Sequence, residues 1–181
     1  TYEEDNYRLR VEEYEKRLTP KTKMVLLSSP NNPTGRVFTR EELTELSQFI
    51  IKHDLICVCD QAFEDTAFPG HEMVTMASLP GMWERTVTVC SCSKGMALSG
   101  YRVGYIFADD VIMDTMYATA VNIQGAANTM VQMAMIPAYE DTSFIQDYVA
   151  EQDFRRRYAY EKFNAVPGVS MPLMESGFYG W

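Results

Sequence analysis

The sequence predicts an α/β protein, a mostly parallel sheet with flanking helices. Three observations carry that expectation. Short apolar runs, KMVLLS from Lys23 and LICVC from Leu55, have the length and content of strands buried in parallel sheets. The first run is followed by a dense turn signal and then a helical stretch, the order of a βα unit. A third run alternates Val87, Val89 and Ser91 with Thr88 and Cys90, and delivers Lys94 to the loop Ser91-Cys92-Ser93-Lys94-Gly95.

Residues 3–18 place Tyr7, Val11, Tyr14 and Leu18 at helical spacing among charges, predicting one helix with a single apolar stripe. The Lys23–Ser28 strand stops at Ser29-Pro30-Asn31-Asn32-Pro33-Thr34-Gly35. Asn32-Pro33 is a candidate cis peptide that would aim the Asn32 amide; the same residues also make an ordinary turn. Thr39 with Glu42 predicts a capping box opening a helix to about His53. The strand from Leu55 ends at Asp60, where open α/β sheets bind ligands and where a turn aspartate would also sit. A carboxylate buried there would need a cationic partner.

Residues 64–85 read as irregular, with turns at Pro69-Gly70 and Pro80-Gly81. Val103–Ala108 reads as another strand, and the short link through Gly100-Tyr101 makes it antiparallel to its predecessor. Helical periodicity continues near 110–122, 126–139 and 142–164, broken at Gly125 and at 137–141. The methionines there (Met113, Met116, Met130, Met133, Met135) are expected to fill core. Val166-Pro167-Gly168 ends the last helix, and 169–181 reads as the start of another sheet.

With 181 residues, 46% hydrophobic and 23% charged, the chain favours one globular domain over a disordered segment. A net charge of −9 disfavours a nucleic-acid surface. No window approaches the roughly 18 apolar residues of a membrane span, and TYEEDNYRLR is too acidic for a signal peptide. A soluble cytoplasmic protein is expected. The cysteines lie as Cys57-Val58-Cys59 and Cys90-Ser91-Cys92, away from His53 and His71, so buried free thiols and no metal site are expected.

Lys94 sits among small residues with Met96 and Leu98 following, so its amine is expected to be poorly solvated, which favours the neutral nucleophile. Arg102, between Gly100-Tyr101 and Val103-Gly104, suits a bidentate grip on phosphate. On this stretch alone, a surface lysine and a structural arginine fit as well.

Together, Asn32-Pro33-Thr34-Gly35, Asp60-Gln61-Ala62-Phe63, Ser91-Cys92-Ser93-Lys94 and Gly100-Tyr101-Arg102-Val103-Gly104 resemble the class I/II aminotransferases, pyridoxal-phosphate enzymes of the aspartate aminotransferase fold, fold type I. The resemblance implies that residues 1–141 are the second half of the large cofactor-binding domain, and 142–181 a connecting helix and the beginning of the small domain. By matched position, Lys94 resembles the lysine of the internal aldimine and proton shuttle, and Asp60 the partner of the pyridine nitrogen. Asn32 resembles the amide on the phenolic oxygen; Ser91, Ser93 and Arg102 resemble the phosphate cup. Phe63 stands where most relatives have tyrosine and cannot donate to that oxygen, which implies a raised aldimine pKa unless another donor substitutes.

The family's glycine-rich phosphate loop would lie upstream of Thr1 and its substrate-carboxylate arginine downstream of Trp181. Residues 120–135 hold no Arg or Lys, so specificity for aspartate is unsupported. The implied function moves an amino group between an amino acid and a 2-oxo acid, in a homodimer. A C–S β-lyase or decarboxylase on the same fold, or a non-catalytic coenzyme-sensing domain of a regulator, are the alternatives.

Overall fold

The computed structural model describes residues 3–181. Four strands, β1 (Met24–Ser28), β2 (Ile56–Asp60), β3 (Thr86–Ser91) and β4 (Gly104–Phe107), form one sheet in the order β1-β2-β3-β4. The first three are parallel and β4 is antiparallel to β3, as the short Gly100-Tyr101 link requires.

Helix α1 (Val11–Arg17) is short and α2 (Arg40–Lys52) long. The capping box forms at α2: Thr39 Oγ1 accepts the Glu42 N–H at 3.2 Å, and Glu42 Oε2 accepts the Thr39 N–H at 2.7 Å. The box starts the helix in the register that buries Leu43, Leu46, Phe49 and Ile50 in one cluster with Val25, Leu27, Cys57 and Cys59 of the strands. Each such side chain contributes about 1.5–3 kcal/mol on leaving water. All four cysteines are buried and free.

The sheet is covered on both faces at β3, where Val87 is buried, but on one face alone at β1. Met24 and Leu26, which alternate with the buried Val25 and Leu27, are 57% and 71% exposed. The KMVLLS run is therefore not buried on both sides as expected, because at this edge strand the described residues supply a packing layer to one face alone.

Other expectations are also corrected. The helix foreseen over 3–18 divides into a 3₁₀ turn at Glu3–Asp5 and α1, because Asn6 and Tyr7 adopt left-handed φ of 55° and 57° that a right-handed helix cannot contain. Residues 64–85 carry three 3₁₀ turns, at Glu64–Thr66, Met76–Ser78 and Trp83–Arg85. They are irregular yet built in, with Val74, Met76, Leu79 and Met82 buried in the main cluster. The 169–181 segment forms a single bridge, Ala67 to Ser176, with Pro172 and the positive-φ Gly177 limiting any longer ladder.

Helices α3 (Asp110–Ile123), α4 (Thr129–Glu140) and α5 (Ser143–Asn164) come after β4. Helix α4 runs through Pro137, which falls in its last turn. These helices bury little of themselves: nothing on α3, Met135 on α4 and Ile145 on α5. Met130 and Met133, at 78% and 62% exposed, are not core filling, since the described residues place nothing over them. The Ser29–Pro30 and Asn32–Pro33 peptides are both cis.

Candidate functional site

Parallel pairing aligns the strand ends: Ser28 lies beside Asp60, and Asp60 beside Val89. The loops after β1, β2 and β3 therefore open at one end of the sheet. Strand β4 starts at that same end, Gly104 pairing with Ser91. Asn32, Asp60, Phe63, Ser91, Ser93, Lys94 and Arg102 are thus gathered there from segments far apart in the chain. Strand alternation puts Asp60 and Ser91 on a common face, because Ser91 is two residues beyond Val89.

Asp60 is exposed, contrary to the expectation of a buried acid, because it is the last residue of β2, on the face where Ile56 and Val58 are only half-buried. Its Oδ1 accepts the Ala62 N–H at 3.0 Å, which orients the carboxylate. Asn32 is also exposed, on a loop tied by Asn31 N–H to the Arg36 carbonyl at 2.8 Å and by Gly35 N–H to the Asn31 carbonyl at 2.8 Å. Ser91 Oγ accepts the Ser93 N–H at 3.2 Å, keeping both hydroxyls beside the turn into Lys94.

Lys94 is half-buried, and among the described residues its amine has no hydrogen bond or ion pair. Nζ lies 5.8 Å from the centroid of the Phe63 ring and 5.7 Å from that of Phe178. Phe63 is buried and meets Phe178 edge to face at 5.5 Å. Phe178 is a neighbour of the amine that sequence reasoning missed; it stands far downstream and no local pattern announces it.

Arg102 is exposed, with Nη1 donating to the Ser99 carbonyl at 2.8 Å. Its φ of 54° and the 57° of Ala97 put two non-glycine residues of one loop in the left-handed region, at about 1–2 kcal/mol each. Gly95 has no room for a side chain, since a Cβ there would overlap Asp65. Burial, with Glu64 beside it, holds the Asp65 carboxyl above the usual range. Below the loop, Glu64 accepts from the Tyr105 hydroxyl at 2.8 Å, and burial pushes the Cys90 thiol up to about 12.

No ion pair joins any two of Asp60, Lys94 and Arg102 among the described residues. Charges of both signs therefore stand open at one sheet end, free to engage a ligand that is itself both cationic and anionic.

Comparison with known proteins bears on this arrangement. The family profile described as aminotransferase class I and II matches residues 1–181. The aromatic-amino-acid aminotransferase 2 of Thermococcus litoralis is 36% identical over 182 residues, covering 99% of this chain and 46% of that protein. The aspartate aminotransferase of Pyrococcus abyssi is 34% identical with the same coverage. Among solved structures, the aromatic aminotransferase of Pyrococcus horikoshii superposes with a TM-score of 0.95 at 34% identity, over 99% of this chain and 49% of that one. The chain spans about half the length of the curated relatives it matches. On a match that runs its entire length, the chain belongs to the class I and II aminotransferase family.

Proposed function

We propose that this chain serves pyridoxal-phosphate-dependent transamination between an amino acid and a 2-oxo acid. The observation that carries the reading is the amine of Lys94, unpaired at the same sheet end as the acid of Asp60 and the guanidinium of Arg102. The donor set fits the coenzyme: an acid for a protonated ring nitrogen, an amine for a carbonyl carbon, and a guanidinium with two hydroxyls for a phosphate. Lys94 would hold the aldehyde carbon, Asp60 the ring nitrogen, Asn32 the phenolic oxygen, and Ser91, Ser93 and Arg102 the phosphate. When bound, the coenzyme supplies an electron sink for a carbanion at the substrate α-carbon.

The chain's own residues do the rest. The Lys94 amine takes a proton from the α-carbon and returns one, a task for a neutral amine with no carboxylate paired to it. Phe63 supplies an apolar wall and no hydroxyl, leaving the phenolic oxygen to Asn32 from this side. The division into a large-domain part over 1–141 and a small-domain beginning over 142–181, a cytoplasmic location and a homodimer belong to the same reading.

The test is borohydride reduction after incubation with pyridoxal phosphate, followed by peptide mass analysis. The expected result is a reduced adduct on the peptide carrying Lys94 that is absent from Lys94→Ala. An adduct spread over surface lysines, or unchanged in Lys94→Ala, overturns the reading. In the same samples, Phe63→Tyr is expected to move the pH midpoint of the bound coenzyme's absorption to lower pH; an unmoved midpoint removes the role given to position 63.

A further inference from the structure

We propose that Glu64, Tyr105 and Tyr139 are positioning residues that hold the Ser91 hydroxyl at the phosphate end of the site, by gripping the two cysteines on either side of it. The inference rests on the reading that Ser91 serves the coenzyme's phosphate. Five side chains close a ring beside the Lys94 loop. The Cys90 thiol donates to Glu64 Oε2 at 3.4 Å, and the Tyr105 hydroxyl donates to Glu64 Oε1 at 2.8 Å. The Tyr105 ring meets the Tyr139 ring edge to face with centroids 6.0 Å apart, and the Tyr139 hydroxyl lies 3.3 Å from Cys92 Sγ.

Successive residues of a strand project to opposite faces, so Ser91 points away from Cys90. Cys90 and Cys92 are 2% and 3% exposed. Turning Ser91 about the strand would turn both thiols, and each is held. What remains is the hydroxyl itself, which the Ser93 N–H fixes by donating to Ser91 Oγ at 3.2 Å.

The ring also sets the spacing of β3 and β4. Cys90 and Tyr105 are directly opposite in the ladder, one step before the Ser91–Gly104 pair, and Arg102 stands two residues ahead of Gly104. At that step the strands come close: a Cβ on Gly104 would stand 2.5 Å from the Cys90 carbonyl oxygen. One carboxylate serving a donor on each strand keeps the approach in register. Burial pushes the Cys90 thiol up to about 12 and raises the Tyr105 hydroxyl as well, so both stay donors at neutral pH. Among the described residues no cation pairs with Glu64, which leaves both its oxygens to these two groups.

The test compares affinities for pyridoxal phosphate and for pyridoxal, which lacks the phosphate, by equilibrium dialysis. Tyr105 is 40% exposed, so Tyr105→Phe removes one hydroxyl and empties no core. The preference for the phosphorylated form is expected to fall about fivefold in Tyr105→Phe, the worth of one hydrogen bond, and by a similar factor in Glu64→Gln. Affinity for pyridoxal should stay within about twofold of the parent. In a Ser91→Ala background Tyr105→Phe should have no further effect on the preference, because the ring acts through Ser91. In coenzyme-free protein, amide hydrogen exchange at Ser93 should quicken in Tyr105→Phe while that of Cys57 in β2 does not.

Should Glu64→Gln fail to fold, Tyr139→Phe, which loses only the hydroxyl beside Cys92, replaces it. An unchanged preference in Tyr105→Phe, or equal losses for the two forms, overturns the proposal. A full further loss in the Ser91→Ala background does the same. Failure of the transaminase reading shows separately, as loss of the Lys94-specific pyridoxal phosphate adduct. Exchange at Ser93 then still decides whether the ring holds the loop, and unchanged exchange overturns that hold.

Discussion

Leu46 of α2 and Met133 of α4 are both apolar residues on helices, yet the first is fully buried and the second 62% exposed. The contrast extends to the regions around them. From Leu9 to Met82, sixteen buried side chains form one cluster between α1, α2 and the covered sheet face. In the C-terminal helices the only buried cluster among the described residues joins Met135 and Ile145 to Cys92 and Met96 of the Lys94 loop. Large apolar side chains such as Val111, Tyr117, Ile123 and Phe154 remain 65–77% exposed. The difference shows that apolar periodicity commits a face to burial without naming what buries it. The smaller cluster nevertheless matters for the site, since it packs directly under the loop that presents the candidate amine.

The widest gap is expected between Leu46→Ala and Met135→Ala. Removing Leu46 leaves a cavity in a filled core and should cost about 2–5 kcal/mol in urea denaturation. Met135 borders open space that can collapse or hydrate, so about 1–2 kcal/mol is expected there. Equal costs in the intact protein would break the comparison and mean that α3 to α5 are covered by something outside this chain.

Gly95→Ala probes the boundary between the two regions. The added methyl overlaps Asp65 at its Cβ, not at a flexible tip, so the loop must move at about 1–3 kcal/mol. Labelling of Lys94 by aldehydes should change with it. Asp65→Gly in the same chain should restore both the stability and the labelling; no rescue would mean that Gly95 is required for another reason.

The smallest effect sharpens the same boundary by pH. Asp65 has its folded pKa raised by burial and by Glu64, so its ionisation opposes folding. Its contribution is most favourable below the unfolded pKa near 4 and is lost as pH rises through the raised folded value. Asp65→Asn should therefore stabilise the protein at neutral pH and flatten this part of the pH dependence. A variant that is less stable at pH 7 while keeping the same slope removes the assignment.

Much of the candidate site is legible in the sequence because its signals are local. Thr39 and Glu42 are three residues apart, the turn after β1 is spelled out in prolines and asparagines, and strand ends announce Asp60 and the Lys94 loop. The solvation of Asp60 is not legible, for a physical reason: strand position says where a carboxylate lies along the sheet, but a layer over the face decides whether water reaches it. The backbone at Tyr7 is hidden likewise, because spacing cannot reveal a left-handed turn between two helical segments.

The sequence by itself determined the order of strands and helices, the cap on α2 and which loops carry the amine, the acid and the guanidinium, since each depends on residues within a few positions of one another. Only the tertiary structure decided that Glu175 reaches Arg36 across 139 positions, that Phe178 comes to lie beside Lys94, and that one sheet face stands open at β1. Such pairings depend on how chain segments return through space, and the free energy that selects them is spread over the whole packed layer, not written in any single window of residues.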